Sequence, residues 1–261
     1  MTTIDLNCDL GEGFGAWEMG NDAAMIELAT SVNVACGFHA GDPTIMDRTI
    51  RLARERGTDI GAHVGFPDRQ GFGRRVMNIE IGELASLVVY QLGALAGMAR
   101  AAGYRMTHMS FHGALGNMTA ADAALADPLL RAVADFDPTL IISSSSSRAI
   151  ENAAERCGLR VASTFLADRA YDDEGLLVPR KLPNSVIKDE ATVLQRVRRL
   201  LAEGTVVTYG GAVLPMKARS ILLHGDTPGA VDLARTIRDE IVAAGGRIVP
   251  ISQQLASGLS P

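Results

Sequence analysis

Four of the five histidines stand in one kind of local setting, beside glycine or another small residue where an apolar run ends. His39 lies in Gly-Phe-His-Ala-Gly, His63 in Gly-Ala-His-Val-Gly, His112 in Phe-His-Gly-Ala and His224 in Leu-His-Gly-Asp. Imidazole changes charge near neutral pH and binds metals through either ring nitrogen. One such histidine is ordinarily structural, but four in equivalent places imply a shared pocket. Acidic side chains gather at the start of the chain, where Asp5, Asn7 and Asp9 alternate and Glu12 follows. In a strand that alternation puts the first three on one side. A buried carboxylate is costly unless it is paired, hydrogen-bonded or bound to metal. Asp5 is therefore expected to tie the structure together, and Asp9, nearest the strand end, to do chemistry.

Two loops add further polar groups. Residues 65–75 carry Asp68, Arg74 and Arg75 among three glycines, which let backbone approach a ligand. Residues 167–180 carry Asp168, Arg169, Tyr171, Asp172, Asp173 and Arg180, a stretch long enough to act as a lid. Arg75 and Arg169 are the candidate cations for a carboxylate or phosphate, and Arg74 reads as a surface charge. The sequence contains neither a Gly-x-x-x-x-Gly-Lys-Ser/Thr loop nor a Gly-x-Ser-x-Gly elbow. Asp42 and Asp226 read equally well as helix caps.

Positioning these groups requires a regular scaffold. Short runs at 3–7, 31–35, 59–63, 105–111, 139–143, 160–164, 220–224 and 247–251 predict strands. Between them, helical spacing predicts helices at 22–29, 43–56, 80–102, 120–134, 148–157, 189–202 and 228–244. Asp42-Pro43, Asp127-Pro128 and Thr227-Pro228 suit helix starts, and Gly57, Gly103, Gly158, Gly204 and Gly245 suit helix ends. Strand and helix alternating seven or eight times imply a parallel α/β sheet closed as a TIM-barrel-like (β/α)7–8 barrel. All its strands would end at one rim, which brings the four histidines together. A small β-hairpin is expected near 206–216, inserted into a single barrel domain spanning 1–261, and the serine run 143–147 reads as a polar loop capping a helix.

Bulk properties narrow the function. A net charge of −5 argues against nucleic acid or an anionic membrane as partner, and 47% hydrophobic residues support a sizeable core. The apolar stretch 84–102 carries Gln91, Arg100 and two glycines, which argues against a membrane span. Cys8, Cys36 and Cys157 form no disulfide or zinc-finger pattern, and no signal peptide is visible, so a cytoplasmic protein is expected.

Several long motifs carry a family resemblance. Asp-Leu-Asn-Cys-Asp-Leu-Gly-Glu at 5–12, Asn-Val-Ala-Cys-Gly-Phe-His-Ala-Gly-Asp-Pro at 33–43, Gly-Ala-His-Val-Gly-Phe-Pro-Asp at 61–68, Ala-Asp-Arg-Ala-Tyr at 167–171 and His-Gly-Asp-Thr-Pro at 224–228 resemble the LamB/YcsF family, which supplies the A component of 5-oxoprolinase. The resemblance runs from about residue 4 to 251. It implies a seven-stranded barrel of the glycoside hydrolase/deacetylase type. It also implies ATP-dependent opening of 5-oxo-L-proline to L-glutamate, with ATP as co-substrate (Mg2+ with it) and two other subunits as partners. Such a reaction needs a cation for the substrate carboxylate, a base for water and donors for the oxyanion. On this basis Asp9, His39, His63, His112 and Asp168 are the expected catalytic residues. Asn7, Glu12, Arg75, Asn117, Arg169, Tyr171 and His224 are the expected substrate-binding ones. Two positions depart from the resemblance: Ser110 stands where the family usually has Lys, and Thr164 where it tends to have Glu.

Two other readings remain open at this point. One is a metal-dependent amide or sugar-ester hydrolase that works alone, with Asp9, His39 and His63 as ligands and open positions for water. The other is a non-catalytic component that binds a small acid. The sequence leaves self-association open.

Overall fold

The computed structural model describes residues 3–225 and 229–256. Its strands are β1 (Thr3–Leu10), β2 (Ser31–Ala35), β3 (Asp59–Val64), β4 (Met106–Phe111), β5 (Ile141–Ser144), β6 (Arg160–Leu166), β7 (Thr205–Val207), β8 (Val213–Pro215), β9 (Ser220–His224) and β10 (Arg247–Ile248). The helices are α1 (Asp22–Ile26), α2 (Pro43–Arg56), α3 (Ile81–Ala101), α4 (Gly113–Ala121), α5 (Ala123–Phe136), α6 (Arg148–Cys157), α7 (Glu190–Glu203), α8 (Ala230–Ala243) and α9 (Ile251–Ala256). Strands β1 to β6 pair in sequence order, β6 pairs with β9, and β9 returns to β1 with Asp5 opposite Ser220. All these pairings are parallel, so seven staves close into a barrel with every C-terminal end at one rim.

The run at 247–251 does not supply an eighth stave. Only Arg247 and Ile248 pair, beside Thr3 and Ile4 at the foot of β1. Pro250 lacks an N–H for a ladder, and the chain then turns into α9. There Ile251 packs against Ile141 and Ala162 and plugs the floor of the barrel. The helix expected at 120–134 is instead two helices, α4 and α5, broken at Asp122, whose carboxylate accepts from the Ala124 N–H. Asp127 does not open a helix: Pro128 lies inside α5, and Asp127 pairs with Arg156. Asp42 does cap α2, accepting from the Thr44 and Ile45 N–H groups, with Pro43 at the first helical position. The other two helix-start residues, Thr227 and Pro228, lie outside the described residues, as does Asp226. The five expected stop glycines all adopt positive φ, between 61° and 75°. The inserted hairpin is present as β7 and β8, paired antiparallel.

Helix α3 is long and apolar enough to cross a membrane by length and composition. Its buried stripe of Leu84, Val88, Leu92, Leu95 and Ala99 instead lies on the barrel wall. From that stripe Gln91 accepts from the Gly65 N–H and donates to the Gly65 and Leu87 carbonyls. One side chain thus fixes both backbone groups of the residue that follows β3.

Inside the barrel, polar side chains take the place of the usual branched apolar layers. Asp5 is fully buried, and its carboxyl accepts from Thr30 Oγ1 (2.7 Å), Ser31 Oγ (2.7 Å) and Ser220 Oγ (2.6 Å), which joins β1 to β2 and β9. One layer up, the His108 ring crosses from β4 and donates from Nε2 to Asn33 Oδ1 at 3.1 Å, while Nδ1 accepts from Thr107 Oγ1. Asn33 in turn donates to Asp9 Oδ1 at 2.8 Å. The ring has room only because Gly61 faces it: a Cβ there would sit 2.2 Å from His108 Cδ2. Burial pushes His108 down to about 3, so it is the neutral donor that this chain requires.

Burial also pushes the Asp5 carboxyl up to about 6, against the opposing pull of its three hydroxyl donors. A carboxyl raised in the folded state contributes stability that is complete below its unfolded value and is lost as pH rises through the folded value. Asp5→Asn removes this titration. We therefore expect the unfolding free energy of the wild type, measured against D5N by urea denaturation, to rise by about 2 kcal/mol between pH 7 and pH 4.5. Parallel stability curves for the two proteins would show that Asp5 is ionised throughout.

Candidate active site

The C-terminal rim opens into a cavity of about 380 Å³ whose floor and walls include Asp9, His63, His112 and His224. Each comes from the end of a different stave or the residue just after it: Asp9 from β1, His63 from β3, His112 after β4 and His224 from β9. His39, from the loop after β2, and Glu12, from the loop after β1, stand behind this wall and are also buried. His39 Nε2 lies 3.3 Å from Glu12 Oε1, and His112 Nδ1 lies 3.9 Å from the same oxygen. His63 Nε2 is 2.9 Å from His112 Nδ1 and 3.4 Å from Asp9 Oδ2. The His39 and His112 rings stack at 3.8 Å, and His63 meets both edge-on.

Glycines and one strained residue make this packing achievable. A Cβ at Gly65 would lie 2.7 Å from His39 Nδ1, and one at Gly73 would lie 2.8 Å from His39 Cβ and 2.9 Å from His112 Cδ2. Phe72, at φ 53°, turns its carbonyl to accept from His112 Nε2 at 2.8 Å. A non-glycine residue adopts that conformation at a cost, so the surrounding loop holds it there. With Nε2 carrying the proton, His112 Nδ1 presents a lone pair to the cluster. The Nδ1 atoms of His39 and His63 are buried with no hydrogen-bond partner among the described residues.

The charges are arranged by burial and by neighbours. Burial works to raise the Asp9 carboxyl, but His63, His224 and the Asn33 amide outweigh it and hold Asp9 well below the usual carboxylate range. His39 and His112 are pushed far below the usual imidazole value, mainly by burial and then by neighbouring cationic groups, so both are neutral. His224 goes the other way. Burial alone would lower it, but Asp168, 2.8 Å from Nδ1, and Asp9 together raise it against the opposing Arg180. Arg180 donates to His224 Nε2 at 3.2 Å. The site therefore holds two carboxylates kept ionised by their neighbours, Asp9 and Asp168, two neutral imidazoles, and in His224 an imidazole with raised proton affinity.

Several expected site residues lie elsewhere or act differently. Arg75 is mostly exposed and paired to Asp68, with Nε 3.0 Å from Oδ2, so it does not reach the cavity. The cations on the cavity wall are Arg74, Arg169, Arg180 and Lys181. Arg169 is buried and donates to the Ser185 and Val178 carbonyls, which staples the long loop; burial and Arg180 lower it to about 10, still a cation. Tyr171 is fully buried, its hydroxyl accepting from the Leu166 N–H at 2.7 Å and its ring stacked on Phe165, so it is a pillar rather than a substrate contact. Asn7 is sealed inside the barrel below Asp9, and its amide has no partner among the described residues. Asn117 on α4 does line the cavity. Sequence reasoning missed Arg74, Lys181, Asn33 and His108 as parts of the site; for Asn33, the alternation of Ser31 and Asn33 along β2 carried the same signal as Asp5, Asn7 and Asp9 along β1.

The LamB/YcsF family model matches residues 4–256. The chain belongs to the LamB/YcsF family. It is 69% identical to a 5-oxoprolinase A component of Ralstonia nicotianae, over 99% of each chain. It is 67% identical to a 5-oxoprolinase A component of Pseudomonas syringae pv. tomato, over 97% of this chain and 99% of that one. Among solved structures it resembles the lactam utilization protein from Thermus thermophilus, at 37% identity and a TM-score of 0.89, covering 96% of this chain and all of the other. A putative cellobiose-phosphate cleavage protein from Enterococcus faecalis, at 13% identity and a TM-score of 0.59, shares the fold alone; the match covers 97% of this chain and 98% of that one. In this LamB/YcsF chain Ser110 and Thr164, the positions where the resemblance implies Lys and Glu, both face the cavity.

The Asp168–His224 pair generates a direct test. Asp168→Asn removes the charge that outweighs burial, so the His224 ring in D168N should titrate below the wild-type value. Ring-proton NMR of the five histidines reads this directly. An unchanged midpoint would assign the raised value to another group.

Proposed function

We infer that this chain is the A component of a multi-subunit, ATP-dependent 5-oxoprolinase, which opens 5-oxo-L-proline to L-glutamate in the company of partner subunits, two by the family resemblance. The observation that carries this reading is near-full-length identity of 69% and 67% with proteins named as 5-oxoprolinase A components. The cavity supports it. A space of about 380 Å³, walled by cations and floored by an ionised carboxylate, suits a small cyclic acid.

The chemistry asks for three services. The five-membered lactam is an unactivated amide, and ATP, used by the complex, would supply activation at its carbonyl oxygen. Arg180, with Arg74 and Lys181 on the same wall, takes the role first expected of Arg75 and holds the substrate carboxylate. Asp9, kept ionised by His63 and His224, orients and deprotonates the attacking water. Once Arg180 turns from His224 Nε2 to the substrate carboxylate, His224, whose proton affinity Asp168 raises, carries a proton to the nitrogen that leaves as the ring opens, and Asp168 fixes its ring orientation. Arg169 and Tyr171 hold the loop that brings Arg180 over the site.

The reading is tested by glutamate release from 5-oxoproline, with ATP, in the complex reconstituted from all its components. Asp9→Asn should lower kcat by about 100-fold or more, the usual size of a general-base contribution. Arg180→Ala should act mainly on KM, and Arg75→Ala should change neither by more than about twofold. Undiminished glutamate release when this chain is left out would reject the assignment.

A further inference from the structure

We propose that Glu12, His39, His63 and His112 hold one divalent first-row transition-metal ion at the back wall of the cavity. Their ligand atoms (one carboxylate oxygen and one nitrogen from each ring) all lie within 4.8 Å of one another. On an ion with bonds of about 2.1 Å, two donors are about 3.0 Å apart at a right angle and about 3.4 Å apart at the tetrahedral angle. Two observed spacings fall close to these values, 2.9 Å for His63 to His112 and 3.3 Å for His39 to Glu12, and His112 to Glu12 is wider at 3.9 Å. The wider separations in the cluster, up to 4.8 Å, close onto one ion by small shifts of these side chains.

The surroundings point the same way. The Phe72 carbonyl accepts the His112 Nε2 proton, which leaves Nδ1 as the ligating atom. A carbonyl behind the far nitrogen is the usual support of a metal-bound imidazole. No hydrogen bond fixes the tautomer of His39 or His63 from the Nδ1 side among the described residues, so an ion on the two Nε2 atoms would set it. Gly65 and Gly73 are bare where a Cβ would displace the His39 and His112 rings. Three imidazoles and one carboxylate suit Zn2+, Co2+, Fe2+ or Mn2+ and are a poor set for Mg2+ or Ca2+, which take oxygen ligands.

This set differs from the one that sequence spacing suggested. Glu12 is the carboxylate ligand, and Asp9 stands beside the site, 3.4 Å from His63 Nε2, where it can act on an oxygen bound to the ion. His63, His112 and Asp9 line the cavity while Glu12 and His39 lie behind them, so the remaining coordination position opens towards substrate. There the ion would take an oxygen ligand, the water or the lactam carbonyl, and polarise it. That role rests on the 5-oxoprolinase reading; the binding of the ion does not.

The experiment uses the full-length chain, purified, stripped with dipicolinate and titrated with Co2+ and with Zn2+ alone. Expected are roughly one equivalent of Zn2+ per chain, a visible d–d spectrum for Co2+ that Zn2+ abolishes, and a higher Tm with the ion. Glu12→Gln and His39→Asn should each weaken binding by about 100-fold or more, while Arg75→Ala binds as wild type. Because the stoichiometry and the Co2+ spectrum are read on the wild type, a variant that fails to fold does not decide the outcome. A stripped wild type that takes up neither ion, or binding that both variants retain, overturns the proposal. Glutamate formation is assayed separately on the reconstituted complex: metal bound without glutamate sinks the functional reading alone, and glutamate formed without metal sinks the catalytic role of the ion.

Discussion

A carboxylate sealed inside a barrel has to be answered by other buried groups, and the rest of this structure follows from that requirement on β1. Asp5 and Asp9 project inward from one strand, two layers apart, and each is met by side chains from neighbouring staves. At the floor the answer is three hydroxyls, so Asp5 holds its charge weakly. Higher up, the answer is Asn33, His63 and His224, so Asp9 holds its charge strongly. The same residue type on the same strand thus becomes a structural tie at one level and a reactive group at the next. Leaving either carboxylate without partners would cost several kcal/mol, a large part of a domain's net stability.

The polar interior also imposes the glycines. His108 must cross the barrel to reach Asn33, so β3 carries Gly61 at that level. His39 and His112 must stack, so the loop that follows β3 carries Gly65 and Gly73. That loop is pinned from outside by Gln91, a lone buried polar side chain on an apolar helix. A hydrogen bond from α3 is therefore part of what sets the position of the imidazoles, although α3 contributes nothing to the cavity itself.

The seven staves, the rim and the convergence of His39, His63, His112 and His224 were legible in the sequence because they follow from period and topology. Alternation places Asp9, and parallel pairing places every strand end together. The partners of charged side chains were not legible. Arg75 and Arg74 are adjacent and chemically alike, yet the turn at Phe72 and Gly73 sends Arg75 out to Asp68 and Arg74 to the cavity. Tyr171 and Arg169 sit in a polar loop, the usual place for ligand contacts, but both are spent on backbone groups of that loop and of β6. Spacing alone likewise could not tell Glu12 from Asp9 as the neighbour of His39, since that depends on how the chain turns after Leu10.

The hydroxyls at 110 and 164 fit the same electrostatic logic. Ser110 and Thr164 lie near the ends of β4 and β6, on either side of β5, where Ser143 shares a hydrogen bond with Thr164 at 3.0 Å. A lysine and a glutamate at these positions would place opposite charges across one stave. Removing only one would strand the other in a largely buried wall, at a cost of about 3–5 kcal/mol. With hydroxyls at both positions neither charge is present in that wall. The positive charge on the cavity wall then comes from Arg74, Arg169, Arg180 and Lys181, all carried by loops rather than by staves. In this chain anion recognition therefore belongs to the loops of the rim, while the carboxylate and the imidazoles stay on the rigid barrel, an arrangement that lets substrate capture change without disturbing the groups that act on it.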